Sequence, residues 1–261
     1  MNPSPLSAFD PTGRFSGLAG LYGQYRPDYP AQALDYFLAR CGLSAGKLVV
    51  DVGAGTGISS RLLALRGLCV IAVEPNGDMR QQAESTPLPP GASPPQYRAG
   101  RAEDTGLADA GADAVVSAQA FHWFVAEAAL MEFHRILKPG GWVVLLWNER
   151  DPRDPFTAAY GAIVRNSPQG DIMEHARATA GQLLLTHPLF QDAALETFGH
   201  EQRLTEEQML GRALSVSYAP RMPDQVAAYT SALRAVFARF QREGAVVLQY
   251  QTFVYTARKA S

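Results

Sequence analysis

Two stretches constrain this fold more than any other part of the chain. The first is Leu48-Val49-Val50-Asp51-Val52-Gly53-Ala54-Gly55-Thr56-Gly57, and the second, past a helical segment, is Cys69-Val70-Ile71-Ala72-Val73-Glu74. An apolar β-branched run stopped by closely spaced glycines predicts a buried central parallel strand. Glycines at 53, 55 and 57 permit a tight turn and leave no side chain between backbone and ligand. The following helix directs its first N–H groups at that ligand. Glu74 ends the second strand, where a carboxylate accepts both hydroxyls of a ribose. The pattern predicts a nucleoside-binding βαβ unit.

Two cofactor classes fit such a unit. Dinucleotide enzymes use G-x-G-x-x-G, whose last glycine permits close helix–strand packing. Gly53 and Gly55 match, but Ile58 stands where the third glycine belongs. Asp51, two residues before the turn, is awkward beside a pyrophosphate and suits a ligand ammonium. The acid-x-G-x-G-x-G stretch from Asp51 to Gly57 resembles motif I of the class I S-adenosylmethionine-dependent methyltransferases. An NAD(P)-dependent oxidoreductase and a non-catalytic cofactor-binding protein of the same fold are the competing readings.

Hydrophobic residues make up 47% of the 261 positions and charged residues 18%, enough for a sizeable core and unlike a disordered chain. A net charge of −2 leaves no basic footprint for nucleic acid. No run reaches transmembrane length, and Met1-Asn2-Pro3-Ser4-Pro5 lacks the charged and apolar regions of a signal peptide. Cys41 and Cys69 read as reduced structural cysteines, Cys69 at the start of a buried strand, which suits a cytoplasmic protein. The five histidines show no metal-ligand spacing, so no metal is expected.

Taken in order, the chain opens with a Pro- and Ser-rich dozen residues, expected to be a loose arm. Tyr25-Arg26-Pro27-Asp28-Tyr29-Pro30 resembles the N-terminal signature of small-molecule methyltransferases related to trans-aconitate methyltransferase. That resemblance implies a lid whose arginine binds the cofactor carboxylate in bidentate fashion. Asn76 or Asp78 caps the helix after Glu74, and Met79 holds the family position against one face of the adenine. Gln96–Asp104 reads as a third short strand and its exit. There the family places Ala102 and Glu103 at the adenine edge, although Arg101 departs from its frequent Asp.

Ala112–Ala120 is the expected fourth strand, and Phe121-His122-Trp123-Phe124 follows at its carboxyl end, where doubly wound folds bind ligands. Ala-x-x-x-His-Trp-Phe resembles the same position in those small-molecule enzymes. His122 is the candidate general base, or else a wall that positions the acceptor. The stripe Leu130, Phe133, Ile136 and Leu137 predicts a helix over 125–137. Arg135-x-Leu-Lys-Pro-Gly-Gly before strand 142–147 resembles a late structural motif of class I methyltransferases.

Helices are expected over 156–164 and 172–185, in an insertion after the fifth strand. A sixth strand over 195–203, a helix capped by Thr205, a hydroxyl-lined break at 215–220, a helix over 223–242 and a final strand over 245–256 complete the chain. The break is a candidate acceptor wall.

The resemblance implies an α/β fold: a Rossmann-like, seven-stranded, mostly parallel sheet with one antiparallel strand, helices on both faces and a small helical cap. One domain spans 1–261, divided into an N-terminal arm and lid (1–30), a cofactor-binding core (40–150), a helical insertion (151–192) and C-terminal strands and helices (193–261). The implied activity is methyl transfer from S-adenosylmethionine to a small-molecule acceptor, with S-adenosylhomocysteine as product. The cofactor-binding set is Tyr25, Arg26, Asp51, Gly53, Ala54, Gly55, Glu74, Pro75, Met79, Ala102, Glu103 and Gln119. A cytoplasmic monomer or homodimer with no nucleic-acid or membrane partner completes the expectation.

Overall fold

The computed structural model describes residue 17, residues 19–166 and residues 168–260. The loose arm expected over the first dozen residues lies outside them. Ten helices and seven strands are formed among the described residues. The described residues open with α1 (Ala19–Tyr25) and α2 (Ala31–Arg40), followed by β1 (Leu48–Val52), α3 (Ile58–Ala64), β2 (Cys69–Val73), α4 (Gly77–Ser85) and β3 (Gln96–Arg98). Next come β4 (Ala112–Ala118), a 3-10 turn over Phe121–Trp123, α5 (Ala126–Ile136) and β5 (Leu137–Arg150). The insertion holds α6 (Pro155–Arg165), α7 (Pro168–Ala180) and α8 (Gln182–Thr186). The chain closes with β6 (Phe190–Leu204), α9 (Glu206–Leu214), α10 (Pro223–Phe240) and β7 (Val246–Lys259).

The strands form one sheet in the order β3-β2-β1-β4-β5-β7-β6. Pairings from β3 to β5 are parallel, and β7 runs antiparallel to both β5 and β6. Alternation along the strands sorts their side chains between two cores. Val50, Val52, Val115 and Leu145 join Phe121, Phe133 and Trp147 on one face. Val49, Val116, Val144 and Leu146 join Phe37 and Leu63 on the other. A third cluster, with Phe156, Tyr160, Met209, Leu233 and Tyr250, unites α6, α9 and α10 as the helical cap. Strand order reverses between β1 and β4, so the crevice beyond their carboxyl ends is where an open α/β sheet binds its ligand.

Three local expectations change, and one helix, α1, is added ahead of Arg26. Its Tyr25 ring sits against α9 so closely that a Cβ on Gly211 would lie 2.4 Å away. Cys69 is exposed rather than buried, as the first residue of β2, while Cys41 is buried. The expected helix 172–185 is interrupted at Gly181, where the Tyr255 ring leaves only 2.6 Å for a Cβ. β5 begins at Leu137, taking in the Lys-Pro-Gly-Gly turn, with an irregular register opposite Ala112 and Ala114.

Candidate active site

Gly53 and Gly55 both have left-handed backbones, with φ of 73° and 55°. They serve different ends. A Cβ on Gly53 would meet the Ala120 Cβ at 2.5 Å and the Phe124 ring at 2.9 Å, whereas one on Gly55 would meet nothing within 4 Å. Gly53 is therefore required for packing, and Gly55 keeps space open.

That space is a cavity at the carboxyl ends of β1, β2 and β4, lined by Gly53, Ala54, Gly55, Glu74, Pro75 and Met79. Ala102, Glu103, Gln119 and His122 complete the sequence-predicted residues that it brings together, with Arg26 facing them from the end of α1. The space within it, counted together with open solvent at its mouth, is about 1300 Å³.

Glu74 is buried, and its carboxylate spans the turn. Oε2 accepts from the Gly55 N–H and Oε1 from the Asn76 N–H, each at 2.9 Å. Burial raises its pKa, against the pull of those two donors. Each oxygen keeps a further lone pair for a ligand hydroxyl. Asn76 also caps α4, accepting from the Met79 N–H at 3.0 Å. Glu103 is committed to the fold as well, its Oε1 accepting from the Val125 N–H ahead of α5. Gln119 has a left-handed φ of 59°, and its side-chain amide donates to the Asn148 carbonyl at 3.1 Å.

Arg26 is buried with an incomplete set of partners. Nη2 donates to the Ser215 carbonyl at 3.2 Å, and the guanidinium lies 4.3 Å from the Tyr22 ring centre. Its Nε has no partner among the described residues. Burial, with Arg212 adding to it, brings the pKa down to about 10, against the opposing pull of Tyr22. The Thr56 hydroxyl is likewise buried without a partner.

His122 lines the cavity from the 3-10 turn. Its Nδ1 accepts from the Trp147 indole N–H at 3.4 Å, so the tautomer that fits carries its proton on Nε2. Burial, followed by the cations Arg177 and Arg26, lowers its pKa to about 3. This imidazole is neutral, and its Nδ1 lone pair is engaged.

Two expected residues stand apart from the cavity wall. Tyr25 packs on Gly211 as described. Asp51 is fully buried, its Oδ2 accepting from the Ser59 and Ser60 hydroxyls at 2.6 Å each. Two serines in the first turn of α3 thus turn the carboxylate towards the helix. Its Oδ1 has no partner among the described residues, and burial raises its pKa.

The expected break at 215–220 supplies Val216, Ser217 and Tyr218 to the cavity, and α7 adds Met173 and Arg177. Those last two escaped sequence reasoning. Four residues apart, they share a helix face, but the partners of Arg177 lie across the fold. Its Nε and Nη2 donate to the two carboxylate oxygens of Glu149 at 2.6 and 2.7 Å. Among the described residues, no cluster of three or more His, Cys, Asp or Glu side chains is placed to hold a metal ion. None of their helices is long and apolar enough to cross a membrane.

Residues 50–145 match the family described as "Methyltransferase domain". The chain is 39% identical over 152 residues to an uncharacterized methyltransferase of Mycobacterium tuberculosis, a match spanning 58% of each chain. Similarity to an uncharacterized methyltransferase-like protein of Schizosaccharomyces pombe is 28% over 247 residues, covering 91% of this chain and 92% of that one. A solved structure from Anaeromyxobacter dehalogenans, assigned as a type II methyltransferase, superposes with a TM-score of 0.61 at 26% identity. That superposition covers 90% of this chain and 98% of the other.

Proposed function

We propose that the chain is a class I S-adenosylmethionine-dependent methyltransferase and that it transfers a methyl group from S-adenosylmethionine to a small-molecule acceptor. The observation that carries this reading is one cavity lined by the glycine turn, Glu74 and the His122–Phe124 mouth. Features of the chain fit the cofactor. Gly55 leaves the turn open, while the Arg26 Nε and Thr56 hydroxyl are buried polar groups without partners among the described residues. No feature favours a dinucleotide over this cofactor, since the third-glycine position is Ile58, the first residue of α3.

Arg26 would hold the cofactor carboxylate, Glu74 the ribose hydroxyls, and Met79 with Ala102 the sides of the base. When bound, S-adenosylmethionine supplies a methyl group already activated by its sulfonium. What the protein adds is alignment. His122 and Trp123, with Ser217 and Tyr218 opposite, wall the remaining space. A neutral His122 with Nδ1 occupied donates from Nε2 and orients the acceptor; it does not take its proton. An acceptor atom that is already nucleophilic at neutral pH suits such a wall.

Calorimetric titration should give a single site for S-adenosylhomocysteine and no heat with NAD. Release of S-adenosylhomocysteine is then followed across a library of amines, thiols, carboxylates and phenols. NAD binding in place of S-adenosylhomocysteine would reject the reading.

A further inference from the structure

A second cavity lies beside the first, over the β5–β7 part of the sheet. Its floor is aromatic, with Trp147 from β5 and Phe253 and Tyr255 from β7. Trp147 and Phe253 are register partners, and the Trp147 ring meets Tyr255 edge-on at 5.6 Å. Glu149, Asp151 and Gln251 continue the wall, and Arg177 of α7 completes it. The space within it, counted together with open solvent at its mouth, is about 850 Å³.

Two contacts make the partition between the cavities. Arg177 lines both, held by the paired hydrogen bonds to Glu149. Trp147 lines the second and donates to His122, which lines the first. The acceptor end of the first cavity is thus one side chain away from the aromatic chamber. The guanidinium that forms the partition also has a second carboxylate within reach, Glu174 at 3.7 Å.

On the reading given under "Proposed function", the geometry points to the second cavity as the chamber for the part of the acceptor remote from the methylated atom, and to a neutral aromatic ring system as that part. The lining selects the class. Phe253, partly exposed beside the buried Trp147 and Tyr255, offers a stacked or edge contact to a flat ring. The charged groups around them are already matched: Glu149 with Arg177, Asp151 with Arg153 and Arg150 with Glu174. A charged ligand has to break one of these pairs or be buried without a counter-ion, and a neutral one does neither. An aliphatic tail gains burial there without ring contacts.

The chamber is testable without turnover. The protein, free and with S-adenosylhomocysteine, is titrated calorimetrically with indole, quinoline and 2-naphthol, and with the anion 1-naphthoate and the aliphatic cyclohexanol as contrasts. The neutral bicyclic probes should bind, and more tightly than either contrast. Gln251→Trp fills the chamber from its rim and should weaken them about tenfold, with S-adenosylhomocysteine affinity unchanged. Phe253→Ala removes a floor ring and should act in the same direction if the Trp variant melts early. The double variant Arg177→Met, Glu149→Gln removes the partition without stranding the Glu149 charge. It should favour the longer 4-phenylphenol over indole about tenfold relative to wild type.

Absence of binding by all three bicyclic probes, preference for 1-naphthoate or cyclohexanol, or affinities unmoved by both filling and floor variants would overturn the proposal. Failure of the double variant to favour the longer probe would separate the chamber from the acceptor site and overturn it too. S-adenosylhomocysteine heat without probe binding rejects the chamber alone. Variant-sensitive probe binding without S-adenosylhomocysteine heat rejects the methyltransferase reading instead.

Discussion

The Gly55 amide donates to Oε2 of Glu74 at 2.9 Å, so the acid that ends β2 holds in place the turn that ends β1. Glu74 is thereby both a ligand group and a structural tie.

Glu74→Ala should lose on both counts. Removing hydrogen bonds to a charged acceptor costs about 1.5–3 kcal/mol, seen first as a lower melting temperature. S-adenosylhomocysteine affinity should fall by a similar amount. Glu74→Gln should not rescue, because Gly55 and Asn76 each donate to a different oxygen and an amide accepts through only one. A Gln variant equal to wild type in both measurements would remove Glu74 from the site.

Gly53 and Gly55 should separate stability from binding. Gly53→Ala meets Ala120 and Phe124 in a left-handed backbone and should destabilise by about 2–5 kcal/mol. Gly55→Ala bears only the backbone strain, about 1–2 kcal/mol. Its methyl group projects into open cavity, so it should lose most S-adenosylhomocysteine affinity while remaining folded. Equal melting temperatures for the two variants would contradict this division.

What was legible in the sequence was what local pattern writes. The Val49–Val52 run, the glycine turn and the acid at Glu74 announce β1, the crevice and the end of β2, because period and spacing are carried by neighbouring residues. The helix α1 was not legible: seven residues containing Gly20 and Gly23 have little helical tendency alone. Docking on α9, with the Gln202 amide donating to the Tyr25 carbonyl at 3.1 Å, supplies what the segment lacks. Asp51 was misdirected because its neighbours Ser59 and Ser60 face it only once α3 has formed. Arg177 was invisible for a stronger reason. A lone arginine on a polar helix looks like surface, and only the tertiary fold brings Glu149 to it.

Arg26 should reveal which part of the cofactor it holds. Arg26→Gln should weaken S-adenosylhomocysteine by about 1.5–3 kcal/mol, the worth of hydrogen bonds to a charged group. It should leave 5′-methylthioadenosine, which lacks the amino-acid arm, within about twofold. Lys should rescue poorly, since it cannot present a planar fork to a carboxylate. In the free protein the Gln variant should be no less stable than wild type, because it removes a buried cation that has no carboxylate partner among the described residues. Equal weakening of both ligands would place Arg26 away from the amino-acid arm.

His122 ties stability to pH in a direction that also reports on its chemistry. In the fold its pKa lies at about 3, while the unfolded chain keeps the ordinary value near 6.5. Between those values the unfolded state binds the extra proton. Stability therefore rises with pH across the window and is lost as pH falls from about 6.5 towards 3. The slope from this one residue reaches at most about 1.4 kcal/mol per pH unit. His122→Gln removes that contribution while keeping an acceptor for the Trp147 indole and a donor for the cavity. Urea unfolding from pH 7 to 4 should therefore show a shallower loss in the variant; parallel curves would mean an imidazole of ordinary pKa. Turnover gives the second readout. With an acceptor in hand, the Gln variant should stay within about tenfold of wild type and the profile should be flat from pH 6 to 8, whereas loss of a general base costs about 10²–10⁴-fold. A loss of that size in both Gln and Ala variants, with cofactor affinity kept, would restore His122 as the base.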